Sequence, residues 1–278
     1  MTPRRLGWVI AAAILIGLGI NHIYWAVVQW PMGDLQVYLE AARHLQAGLP
    51  LYSSDVPSYA AYWYAPWFAA AFVPFTWVPL SVAAVAWASL LVTASALVTW
   101  PLIRRPSRSR IALAAFVFPL LFAVSAGGNV QPLLVLALTR GFHGRAGPVW
   151  VGVAASLKVT PIVLAVAYLA RGEWRRGLLS FAIFAFLLIP GILMGLFTAR
   201  PAELLGLGLF GVSLPLYLAS VAIAVAAIAV VPRRYALLTS ALAAVLALPR
   251  LFAYDATLLV VGTAEPPAPA RTGAGPGA

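Results

Sequence analysis

The 278-residue chain contains no cysteine. Disulfides, thiolate nucleophiles and cysteine-based metal sites are therefore excluded. Carboxylates are scarce too, with seven acidic residues against 18 basic ones. Charged residues make up only 9% of the chain, where a soluble domain carries roughly a quarter. The three histidines, His22, His44 and His143, lie far apart and show no HExxH-like spacing. No carboxylates pair at ligand spacing, so no metal and no cofactor is expected. There is no Walker loop, no GxSxG elbow and no Rossmann fingerprint. There is also no internal repeat, so the inverted-repeat signature of many transporters is missing.

What is abundant is apolar. The chain is 63% hydrophobic, with a mean hydropathy of +0.95. Runs long enough to cross a bilayer recur from end to end. The expected fold class is an all-α polytopic membrane protein with about eight to ten membrane segments, several of them short or broken. One membrane domain is expected over 1–264, followed by a disordered Pro/Gly/Ala-rich tail over 265–278. The basic residues form short arginine clusters between apolar runs. That is a topology signal rather than the continuous basic face that binds nucleic acid, and no nucleic-acid partner is expected.

Read in order, residues 6–30 make a first span, preceded by Arg4 and Arg5, which puts the N-terminus in the cytoplasm. No small-residue cleavage pattern follows, which favours an uncleaved anchor over a signal peptide. Trp25 and Trp30 suit the outer interface. Residues 62–103 are broken by Pro66, Pro74 and Pro79 and fit either a short helix plus a full span or three short segments. Residues 111–139 read as a hairpin of two short helices with its tip at Gly127–Gln131. Residues 148–170, 177–198 and 204–231 form further segments, with Thr198–Glu203 as a short outer loop. Residues 235–248 return outward, and 256–264 are too short to span alone.

The polar residues concentrate after the first span, in Met32–Tyr52. Leu35, Tyr38, Leu39, Ala42 and Leu45 recur at helical spacing, with Gln36, Glu40 and Arg43 opposite. Gly48 and Pro50 end the pattern. An amphipathic helix over about 34–47, lying on the outer membrane surface, is expected. Asp34 fits its N-cap, and equally a general base at the membrane face. Glu40 fits an ion pair with Arg43 or a reserve base, and Asp55 a turn. Lys158, the sole lysine, sits inside an apolar segment. Such a charge marks a functional site by default, with an anion such as a lipid phosphate as partner; snorkelling to the interface is the plainer reading. Asn129 and Gln131 suit either the broken backbone of their own turn or a ligand's hydroxyls. Arg250, Tyr254 and Asp255 lie together, with an Arg250–Asp255 ion pair as the simple reading.

The stretches GDLQVYLEAARHLQAGLPLY, YWYAP, GGNVQP, SLKVTP and PRLFAYD, taken in order, resemble glycosyltransferase family 87 (DUF2029) of the GT-C class. The resemblance runs over residues 1 to about 261 and matches Gly33, Asp34, Tyr38, Gly48, Leu51 and Tyr52 in the first motif. Lys158 and Pro161 keep the family's Lys-x-x-Pro. The usual Gly-Gln-x-Asn order is altered to Gly128-Asn129-Val130-Gln131. Family members are longer, and their outer loop before the last spans is reduced here to Thr198–Glu203. The chain thus reads as a compact enzyme, a truncated one or an inactive relative.

The resemblance implies a GT-C-like bundle in a bacterial plasma membrane with an extracytoplasmic site. The implied reaction is inverting transfer of a sugar, a mannose-like hexose, from a polyprenyl-phosphate donor to a lipid-linked or cell-envelope glycan acceptor. It casts Asp34 as catalytic base and Glu40, Tyr64, Asn129, Gln131, Lys158, Arg250, Tyr254 and Asp255 as substrate-binding. The rival is a transporter or lipid flippase, with Lys158 and the Gly-Gly-Asn break lining its path.

Overall fold

The computed structural model describes residues 32–53, 56–57, 60–104, 107–197 and 208–264, with Gly17 and Tyr24. Most of the first expected span, Asp55, the Thr198–Glu203 loop and the tail lie outside the described residues. Every described element is helical. Among the described residues, three helices are long and apolar enough to cross a membrane: Leu80–Arg104, Arg108–Ala126 and Trp174–Leu193.

Helix α1, Gly33–Ala47, follows the predicted periodicity closely and ends in left-handed Gly48. Its apolar face does not rest on lipid. Leu35, Tyr38, Leu39 and Ala42 are buried against the protein, packed on α2 (Pro66–Phe72) and the 3-10 turns Val73–Trp77 that extend it. The Tyr38 ring meets Tyr64, Phe68 and Trp87 edge-on at 5.2, 4.9 and 6.3 Å. Full burial of a large apolar side chain contributes about 1.5–3 kcal/mol, so Leu35, Tyr38 and Leu39 suffice to hold α1 to the bundle.

The apolar stretch 62–103 resolves into the first of its two alternatives: short α2, then full-length α3, Leu80–Arg104. Helix α4, Arg108–Ala126, starts at Ser107, whose hydroxyl accepts from the Arg110 N–H at 3.2 Å. It packs on α3, where Ser95 and Ser125 hydrogen-bond at 3.2 Å. The hairpin expected at 111–139 is therefore unequal. Its first arm is a 19-residue helix, and only the second, α5 (Gln131–Gly141), is short.

The segment 148–170 is broken where a single run was expected. Helix α6, Gly147–Leu157, stops at Lys158, and a 3-10 turn (Thr160–Val163) leads into α7, Leu164–Ala170. Pro161 explains the stop. It has no N–H for the Leu157 carbonyl, and its ring would crowd that carbonyl. Helix α8, Trp174–Leu193, lies against α6, with Gly152 tight to Ile183 and Ser180. Short α9 (Leu209–Val212), α10 (Leu214–Val230), α11 (Ala236–Leu246) and a run of 3-10 turns over Ala253–Thr263 complete the bundle. That final run packs on α11, α5 and α4.

Two buried apolar clusters result. One gathers α1, α2 and Trp87 with Val130, Leu157 and Leu188. The other gathers Leu134, Leu164, Leu237 and Leu258 from the opposite side. The breaks at Asn129–Gln131 and Lys158–Thr160 fall where one cluster gives way to the other, and they carry the polar side chains.

Candidate active site

Asp34 sits in the first turn of α1 and is not its N-cap. The cap position is Met32, a left-handed residue at φ 51°. The Asp34 backbone N–H, one of the orphan donors of a helix start, instead donates to the Gly127 carbonyl at 3.0 Å. Its carboxylate is thereby released from capping, and Oδ2 accepts from Asn129 Nδ2 at 2.8 Å.

Asn129 is fixed from its other side. Its Oδ1 accepts from the Gln131 backbone N–H at 2.9 Å. A backbone N–H can only donate, so the amide nitrogen must face Asp34. Asn129 thus satisfies the backbone of its own turn and gives its amide donor to Asp34. Gly128 brings the turn close to α1. At φ +81° it is left-handed, and a Cβ there would come within 3.0 Å of the Leu35 nitrogen. Trp87 Nε1 donates to the Gly128 carbonyl at 2.7 Å and anchors the turn to α3.

Burial pushes the Asp34 carboxyl above the ordinary aspartate range. The Asn129 hydrogen bond and the Lys158 charge act against that rise. Burial likewise raises the Tyr64 phenol, and the Asp34 charge adds to the effect. Tyr64 accepts from the Tyr38 hydroxyl at 3.1 Å.

Lys158 sits at the α6 break, 15% exposed, and donates to Asp255 Oδ1 at 3.1 Å. Its Nζ lies 4.7 Å from the centre of the Tyr254 ring. Asp255 is buried, and its Oδ2 accepts from the Phe252 N–H at 2.9 Å. The carboxylate therefore takes Lys158 as its cationic partner where Arg250 was expected. Arg250 stands over the Trp63 and Phe252 rings at 5.7 and 5.2 Å. Gln131 is fully buried, donates to Thr257 Oγ1 at 3.3 Å, and leaves Oε1 without a protein donor.

Of the nine residues singled out in the sequence, Asp34, Tyr64, Asn129, Lys158, Arg250, Tyr254 and Asp255 interact electrostatically as one group. Gln131 joins through Asn129. Glu40 does not. It lies on the exposed face of α1, pairing with Arg43 at 3.0 Å and His44 at 3.3 Å. Sequence reasoning gave no site role to Tyr38, Trp87 or Thr257. Tyr38 lies on the apolar face of α1, and Trp87 and Thr257 lie among apolar neighbours; only the group each meets from a distant element gives it a role.

These features define an α-helical membrane protein with a polar site at its helix breaks. The family model for glycosyltransferase family 87 matches residues 62–202, and the chain belongs to that family of membrane glycosyltransferases. The matched stretch takes in Tyr64, Asn129, Gln131 and Lys158. Searches of the curated proteins and of the solved structures returned no match.

Proposed function

We propose that the chain is a GT-C-type, inverting transferase that moves a hexose from a polyprenyl-phosphate donor to a lipid-linked or cell-envelope glycan on the extracytoplasmic face. The observation that carries this reading is the 2.8 Å contact between Asn129 and the Asp34 carboxylate, with Lys158 near enough to act on the same group. It supplies a base whose free electron pair is held in one orientation, beside a cation suited to phosphate.

In the proposed step the acceptor hydroxyl oxygen attacks the anomeric carbon. The bond from that carbon to the donor phosphate oxygen breaks, and the polyprenyl phosphate leaves with the electron pair. The acceptor proton passes to an Asp34 carboxylate oxygen. Lys158 stabilises the phosphate by turning from Asp255 toward it, and Arg250 flanks the same region. Gln131 Oε1, which has no donor of its own, is free to accept from a sugar hydroxyl.

The test is donor choice. The purified chain in proteoliposomes, given a labelled acceptor, transfers sugar from a polyprenyl-phosphate hexose and not from a nucleotide hexose. Movement of the lipid donor between leaflets without any glycosidic product would point to a flippase instead.

A further inference from the structure

Helix α5 leads away from the Asp34 cluster, and α6 leads back to it. Each has 11 residues, so their far ends lie about 16 Å away along the helix axes. There a cavity of about 360 Å³ opens, lined by His143, Arg145, Pro148, Arg175, Arg176 and Leu179. Nothing in the proposed chemistry uses it.

Its charge is not balanced. Glu173 engages Arg176 at 2.7 Å. Arg176 also donates to the Phe142 and Gly144 carbonyls at 2.7 Å each and lies over the Tyr168 ring at 4.4 Å. Arg176 is therefore a post that ties the α5–α6 turn to α8. Arg145 and Arg175 are exposed and have no carboxylate partner among the described residues. Arg175 rests against Trp174, 5.3 Å from its ring. Two exposed arginines without a carboxylate partner among the described residues, at the mouth of a cavity where α6 and α8 both begin, favour an anion.

The cavity is also continuous with an apolar surface. Leu179 lines it and is itself exposed, as are its neighbour Leu178 and, further along α8, Phe186, Ile189 and Leu193. Helix α8 has membrane-spanning length, with only 22% of its apolar window covered by the protein. A soluble anion would use the arginines and ignore that strip. An amphiphile uses both.

We propose that this pocket binds the phosphate headgroup of an anionic membrane lipid, with Arg145 and Arg175 on the phosphate and the acyl chains along α8 from Leu179. On the topology proposed above, which this placement rests on, the site lies on the cytoplasmic side at the start of α8, separate from the donor site.

The test is native mass spectrometry of the full chain released from nanodiscs of phosphatidylcholine with phosphatidylglycerol added. The chain retains phosphatidylglycerol in preference to phosphatidylcholine. Arg145→Gln with Arg175→Gln lowers that retention by about thirtyfold, at the strength ordinary for two basic side chains near an anionic lipid. Removing the same charge elsewhere, with Arg108→Gln and Arg234→Gln, leaves retention unchanged. Equal retention of both lipids would overturn the proposal, and so would equal losses in the two double variants. Inorganic phosphate that displaces the lipid at comparable concentration would make this a soluble-anion site and overturn the lipid reading.

Discussion

Burial dominates how Asp34 behaves as an acid, and Asn129 works against it. Its amide hydrogen bond favours the carboxylate against a burial that favours the protonated form. If Asp34 is the base, as proposed, it must be unprotonated, so activity should fall as pH drops through its pKa, which burial holds above the ordinary aspartate value of about 3.9. Asn129→Ala removes a contact that lowers this pKa. The acid limb of the kcat/KM profile should therefore move to higher pH; an unmoved limb would separate Asn129 from the base. Lys158 and Asp255 pose a different question, because their pair is largely out of water. Asp255→Ala leaves the Lys158 ammonium uncompensated and should cost about 3–5 kcal/mol. Glu40→Ala, which breaks an exposed pair, should cost about 1 kcal/mol or less. Denaturant midpoints of the two variants give the comparison.

At the scale of elements, the contact between α1 and the Gly127–Gln131 turn assembles the site. Gly128→Ala forces a Cβ into left-handed backbone and against Leu35. The conformational term alone costs about 1–2 kcal/mol, and the clash pushes α1 from Asn129. Stability and sugar transfer should fall together, measured on one preparation by denaturation midpoint and transfer rate. Helix α1 was legible in the sequence because its apolar residues keep a 3.6-residue period and Gly48 stops it. The surface on which that face lies was not, because protein and lipid ask for the same side chains. The break at Lys158 had its signal in Pro161, whose effect falls on the residue four before it. The Asp34–Asn129 and Lys158–Asp255 partners stand 95 and 97 residues apart. Each was flagged singly, by polarity within apolar sequence. Which would meet which depends on packing that no local pattern encodes, and so Arg250 stood in the sequence reading where Lys158 stands in the fold.

For the whole molecule, transfer at an extracytoplasmic Asp34 requires α1 outside and the arginine clusters inside. The absence of cysteine makes that measurable without removing any native thiol. Single cysteines replace exposed residues at the two faces, Glu40→Cys on α1 and Arg108→Cys at the start of α4. A membrane-impermeant maleimide should label the first in intact cells and the second only after lysis. The reverse pattern would put Asp34 in the cytoplasm and remove the extracytoplasmic donor from the scheme. Family membership makes the chain a glycosyltransferase; the central claim is that Asp34 is the base. Asp34→Asn keeps the side chain's shape and most of its contacts while removing its basicity. Transfer from a polyprenyl-phosphate hexose by the purified variant, matched to wild type for folding, should fall by about 10²–10⁴. Transfer at the wild-type rate would contradict the account and move the search for the base elsewhere in the cluster.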